Sequence, residues 1–174
     1  DNLDADLART LKNIAYADMA VVCTAYPRDK VRHALDGFGF LVPRLEHKRV
    51  LGCLWTSSLF PNQAPAGHVL LRSMFGGYAD QAGAHLNDTE LLDYLAREVH
   101  PLLGIDTPPE WVRIFRHAPG IPQYLLHHGD TLAAIDDAEK RHPGLVFAGN
   151  AYRGVGLNDC VLSAIRAVEL LQPN

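Results

Sequence analysis

No stretch of about 18 uninterrupted apolar residues occurs in this chain, so it encodes no membrane-crossing helix. The best candidate, residues 14–25, is broken by Asp18. Basic runs are equally scarce, none exceeding a pair such as Lys48-Arg49, and the formal charge is -4. A nucleic-acid binder normally carries a basic face, so that class is excluded. Cysteine is limited to Cys23, Cys53 and Cys160, which match no Cys-x-x-Cys metal or redox spacing. Free thiols in a reducing cytoplasm are expected. The nine histidines include the adjacent pair His127-His128 but no zinc-type spacing, and no metal site is expected. Ser57 and Ser58 lie in no nucleophile-elbow sequence, which leaves a hydrolase unsupported. The chain also lacks an internal repeat, a low-complexity tract and an initiator Met. Its acidic beginning, Asp1-Asn2-Leu3-Asp4, reads as a segment of a longer chain.

What is present is ordinary globular material. The 174 residues are 48% hydrophobic and 21% charged, enough to bury a substantial core. Leu3, Leu7, Leu11 and Ile14 recur at helical spacing, predicting an amphipathic helix with one buried stripe. The run 19–26 predicts a strand ending at Pro27. Residues 38–42 and 50–55 predict a β-hairpin around a polar loop, and 61–67 a surface loop. Further strands are expected at 68–75 and 111–115. Asn87 followed by Glu90 has capping-box spacing and opens a helix with Leu92, Leu95 and Val99 on one face, ended by Pro101 and Gly104. Another helix spans 130–141, with Leu132 and Ile135 inward. A short strand at 145–148 leads to a glycine-rich turn. The last helix, 158–171, is expected to turn Val161, Leu162, Ile165 and Val168 inward and Ser163, Arg166 and Glu169 outward. The class is α+β or α/β.

The chemistry concentrates in the turn from Gly149 to Asp159. It holds Gly149, Gly154 and Gly156 between a strand and a helix start. Glycine permits positive φ and lets a planar ligand approach bare main chain. A helix start offers unpaired N–H groups and partial positive charge, which suit a phosphate or a ring that becomes negative on reduction. The pattern is not the dinucleotide fingerprint, because Asp159 stands where the third glycine would be. Gly37-Phe38-Gly39 fails likewise at Val42. On these residues alone a structural turn and a ligand site both remain open.

Ordered motifs then narrow the choice. Gly149-Asn150-Ala151-Tyr152-Arg153-Gly154-Val155-Gly156-Leu157-Asn158-Asp159-Cys160 resembles the C-terminal FAD-contacting signature of the protoporphyrinogen oxidase family. Upstream, in the family's order, come Gly37-Phe38-Gly39-Phe40-Leu41-Val42-Pro43, then Leu51-Gly52-Cys53-Leu54-Trp55, then Leu71-Arg72-Ser73-Met74-Phe75-Gly76-Gly77, then Ile121-Pro122-Gln123-Tyr124. Nearly the whole chain is covered. The family departs from this chain at His117, His127 and Thr56, where Trp, Gly and Asp are frequent. Asn158 before Asp159 is closer to the protoporphyrinogen than to the coproporphyrinogen type.

The resemblance implies an FAD enzyme that takes six hydrogens from protoporphyrinogen IX, giving protoporphyrin IX and releasing hydrogen peroxide from oxygen. It implies a monoamine-oxidase-type fold, with residues 1–125 forming part of a substrate domain on a mixed β-sheet. Residues 126–174 would form the closing strand-turn-helix of the FAD domain. Gly149, Asn150, Gly154, Val155, Gly156, Leu157 and Asn158 match positions at the FAD. Leu41, Leu54 and Met74 match apolar positions that sandwich the tetrapyrrole. No catalytic base is implied, since the cofactor carries the redox chemistry. The family's Gly-x-Gly-x-x-Gly unit and helical membrane part are absent, so the chain is expected to bind FAD poorly and to be inactive alone. It is also expected to self-associate through uncovered apolar surface. The resemblance places it in the cytoplasm, peripheral to the membrane only through the absent parts. Another amine-oxidase or desaturase-type flavoenzyme, and a non-catalytic binding or assembly module, remain the alternatives.

Overall fold

A computed structural model describes residues 3–172; Asp1 and Asn2, part of the acidic beginning, lie outside them. The chain divides into two compact units, one formed by Ala17–Gly120 and one by the segment up to Tyr16 together with Ile121 onward. The first helix thus leaves the 1–125 portion and joins the C-terminal segment.

In the sheet unit, alternation of apolar and polar residues produces β1 (Tyr16–Pro27), β3 (Val50–Leu54) and β4 (His68–Gly76), with short β2 (Gly39–Leu41) completing the expected hairpin. β5 (Trp111–Pro122) makes the sheet order β2-β3-β4-β1-β5. Ladders β2–β3, β3–β4 and β4–β1 are antiparallel. At the two ends of the last pair, Glu110 N–H donates to the Ala25 carbonyl and Gln123 N–H to that of Ala15, so β5 also runs antiparallel to β1. The sheet is therefore antiparallel throughout, a narrower arrangement than the mixed one expected. β5 continues well past residue 115, through Pro119. As the last strand in the order it tolerates a residue that cannot donate.

One face of the sheet carries Ala20, Val22, Thr24 and Tyr26, directly opposite Phe75, Ser73, Leu71 and Val69. This face packs against α3 (Asp88–Glu98) and α4 (His100–Leu103) through Leu91, Leu95, Val99 and Leu103. The predicted capping box forms, with Asn87 Oδ1 accepting from Glu90 N–H and Glu90 Oε2 from Asn87 N–H. Leu91 takes the core place assigned to Leu92, which is only half-buried. Tyr26 Oη lies 2.8 Å from His100 Nε2 inside this layer. Burial pushes the Tyr26 hydroxyl up to about 12 and the Cys53 thiol up to about 11. The same cause lowers His100. α2 (Thr56–Leu59) follows β3, and its Ser57 Oγ accepts from Leu70 N–H.

The helical unit holds α1 (Ala5–Lys12), α5 (His128–Arg141) and α6 (Leu157–Leu171). Asp4 caps α1 by accepting from Leu7 N–H, and its other oxygen meets Arg141 at 2.7 Å and His142 at 3.1 Å, tying α1 to α5. The Leu7 amide, then Arg141 and His142, holds its carboxyl well below the usual aspartate range. Of the predicted stripe only Leu7 is buried; it packs with Ile135 and Ala138, while Leu3 is exposed and Leu11 and Ile14 are half-buried.

Two expectations fail here. Residues 145–148 form no strand, because no ladder partner exists among the described residues. On α6, Val161, Leu162, Ile165 and Val168 are exposed while Ser163 is buried and Arg166 half-buried, against the predicted orientation; only Glu169 faces out as expected. Arg166 turns inward to Asp136 and Glu139. The amphipathic pattern defined an apolar side without saying what would meet it. No helix of the described residues is long and apolar enough to cross a membrane.

Candidate functional site

The glycine turn is pinned on one side and open on the other. Phe147 N–H donates to Glu139 Oε1 at 2.8 Å, which seats the extended approach, and Gly149 N–H donates to buried Ser163 Oγ at 3.3 Å. Tyr124 Oη donates to the Asn150 carbonyl and His128 Nε2 to that of Tyr152, each at 2.8 Å. The Tyr124 and His128 rings stack at 4.0 Å. Burial pushes the Tyr124 hydroxyl up, so it stays a donor. Arg153 pairs with Asp136, Tyr152 packs edge-on to Phe147, and Ala151 is buried. Residues 149–153 are thus held from within.

Residues 154–159 turn outward. Gly154 has φ +86, and a Cβ there would stand 2.4 Å from the Asp159 Cβ. Asp159 curls back under the turn to accept from Gly156 N–H at 3.1 Å. That carboxylate takes one donor of the α6 start. The Leu157 and Asn158 amides, whose i−4 acceptors would lie before the helix, keep no acceptor among the described residues. Beside them Val155 is 54% and Leu157 82% exposed, an apolar rim around an electropositive helix end. Gly149, at φ +117, has open space where a Cβ would be. All seven sequence-selected residues of the turn, Gly149, Asn150, Gly154, Val155, Gly156, Leu157 and Asn158, therefore stand together at one chain reversal. Bare main chain, two free amides and an apolar rim fit a flat ring whose edge gains negative charge.

A second grouping lies in the sheet unit, on the face opposite the core. Leu41 pairs with Gly52, and Gly52 with Met74, forming one cross-strand row. Leu54 lies two residues along β3 from Gly52 and so projects on the same face. Gly52 leaves a gap in the row. A Cβ there would lie 2.5 Å from the Phe40 carbonyl and 3.0 Å from a Leu41 methyl. Leu41 is 75% exposed, and Leu54 and Met74 are half-buried. The three residues selected from sequence form one shallow apolar platform.

The profile of the flavin containing amine oxidoreductase family matches residues 2–172. The chain belongs to that family. Within it the chain is similar to protoporphyrinogen oxidase, chloroplastic, of Oryza sativa subsp. japonica, at 35% identity over 93% of this chain and 32% of the relative. It is also similar to coproporphyrinogen III oxidase of Bacillus subtilis, at 28% identity over 87% of this chain and 32% of the relative. A crystal structure of a candidate protoporphyrinogen oxidase from Exiguobacterium sp. superposes with TM-score 0.77 at 29% identity, covering 97% of this chain and 38% of that one. The chain spans about a third of the length of these curated relatives. It is thus a protoporphyrinogen-oxidase-like domain of a flavin family, and a flavin is the family's cofactor.

Sequence reasoning missed the supports of the turn. Tyr124 stood in a quoted motif without a role, and His128 was weighed only as a metal ligand. Their i, i+4 spacing was the available signal. Ser163 was placed outward because nothing local reveals that its hydroxyl holds the Gly149 amide.

Proposed function

We propose that this chain is the C-terminal portion of an FAD-dependent oxidase that converts protoporphyrinogen IX to protoporphyrin IX with oxygen, and that it does not turn over alone. The observation that carries the reading is the row Leu41, Gly52, Met74 with Leu54 beside it. Residues far apart in sequence meet on one sheet face as an apolar shelf with a glycine gap, suited to a flat macrocycle. A bound FAD, held by the Gly149–Asn158 turn, would supply the redox chemistry that links the macrocycle to oxygen. The chain's own groups would position and exclude. Leu41, Leu54 and Met74 cover one ring face and keep water from it. Leu157 and Asn158 amides would offer hydrogen bonds and positive potential to a bound flavin, and Val155 and Leu157 would give it apolar contact.

The apolar side of α6, through Val161, Leu162, Ile165 and Val168, would be covered in the complete enzyme by the remainder of the flavin domain. Without it, the isolated chain would self-associate. An FAD titration followed by flavin fluorescence, run alongside an assay of porphyrin formation above the FAD-only blank, tests the proposal. Weak, unsaturated binding and no porphyrin formation are expected. Saturable FAD binding with porphyrinogen oxidation by the chain alone would overturn the claim of incompleteness.

A further inference from the structure

The platform face carries a guanidinium that its apolar residues do not explain. β4 is the middle strand of five, and Arg72 is exposed on it between Leu70 and Met74, which share its face. Across the ladders Arg72 stands opposite Leu54 on β3 and Cys23 on β1. The diagonal positions are Gly52, Val21 and Ala25, the partners of Met74 and Leu70. None of these neighbours carries a charge. Beyond Leu70 the face runs into a cavity of about 420 Å³ lined by apolar Ala25, Leu70 and Trp111 and, farther from Arg72, by Glu110, which is already paired with His68 at 3.0 Å.

Several arginines of the sheet unit are matched, whereas Arg44 in the β2–β3 connection and Arg113 over Phe115, like Arg72, form no ion pair among the described residues. Arg28 donates to three carbonyls, Arg32 meets Asp106 at 2.7 Å, and Arg116 meets Asp88 and the Leu86 carbonyl. The Arg72 side chain makes no hydrogen bond or ion pair with any described residue. A lone cation in the centre of an apolar field is well placed for an anion that arrives from outside together with an apolar body. Adjacent strands are about 4.8 Å apart and alternate residues about 6.6 Å, so a plane lying over Gly52 has its edge within reach of this side chain. Covering the face would also remove water and strengthen the pairing.

We infer that Arg72 reads a carboxylate of the bound ligand: a flat apolar molecule lies on the Leu41–Gly52–Met74 row and places an acid group on the Arg72 guanidinium. The inference rests on the platform reading above and adds to it a charge-recognising residue, and hence a preference for the free acid. Arg is suited to the task because its planar fork grips a carboxylate with two parallel hydrogen bonds. In the free protein the exposed head is solvated, so its unpaired charge costs little.

The test uses the full chain and two probes, mesoporphyrin IX and its dimethyl ester, titrated by porphyrin fluorescence in matched detergent. A charge-assisted pair gives the diacid an advantage of roughly tenfold or more over the ester, corresponding to about 1.4 kcal/mol. Arg72→Gln is expected to erase this preference while leaving ester affinity within about twofold, and Arg72→Lys to restore only part of it. Arg113→Gln, which removes the cation lying over Phe115 on β5, is expected to keep the preference. Circular dichroism checks that the variants are folded. If Arg72→Gln retains the wild-type preference, or if Arg113→Gln abolishes it, the inference falls while the platform stands. If the wild-type chain binds neither probe, both fall together.

Discussion

Between residues 17 and 120, sixteen buried residues join strands, α3 and α4 into one cluster. In the helical unit the buried hydrophobic cluster among the described residues is Leu7, Ile135 and Ala138. Yet α6, in that second unit, is the most apolar helix by composition, and its leucines, isoleucine and valines face out. The sheet unit closes its own core, whereas the helical unit encloses little and leaves its largest apolar surface bare. A domain that completes itself can carry a binding shelf on a rigid sheet. A segment that does not complete itself holds its turn with hydrogen bonds, such as those of Tyr124, His128 and Ser163, rather than with bulk burial.

The strongest way to break this contrast is to open a hole in each unit. Phe75→Ala, in the filled sheet core, is expected to cost about 3–5 kcal/mol, and Ile135→Ala about 2 kcal/mol, because the small helical cluster can collapse around the gap. Native-state hydrogen exchange reports each unit separately. Equal costs would mean that the two cores are equally closed.

pH should separate the units next. Tyr26 and Cys53 hold their protons more tightly folded than unfolded, so their contribution is complete below the unfolded values near ~10 and ~8.5. It is lost as pH rises toward about 12 and about 11, and the sheet unit should weaken there. Asp4 is depressed, so its contribution to docking α1 is present above the ordinary aspartate value near ~3.9 and is lost as pH falls below it. His100, lowered by burial, adds a sheet-unit loss of its own as pH falls below about 6.5. Exchange at the Leu7 amide and at β4 amides, followed across pH, checks these directions. Protection at Leu7 that holds to the acid limit would contradict the Asp4 account.

The smallest effect sharpens the comparison. Val161→Lys with Leu162→Glu should shift stability by no more than about 0.5 kcal/mol, the usual scale for exposed positions, and should reduce light scattering. A loss of the size seen for core residues would show that this side of α6 is covered within the chain.

Much of the fold was legible residue by residue. The Asn87 and Glu90 spacing, the alternation in 68–75 and the helical period of 158–171 are local signals, and each produced its element. The platform was legible only through family likeness. No local rule says that Leu41 and Met74 share a row, because that depends on a register across β3. Likewise 145–148 has a strand's composition but forms none without a partner, and β5 runs past Pro119 because of its place at the sheet edge.

The sequence alone determined most of the helical and extended segments, where the glycine turn lies and which family the motifs resemble. These follow from backbone preferences and side-chain periodicity, which act over a few residues. Tertiary structure decided that the apolar stripe of α6 faces out, that Tyr124 and His128 clasp the turn, and that Arg72 sits alone among apolar neighbours. Those outcomes depend on which surfaces meet across long stretches of chain, and periodicity is silent about partners.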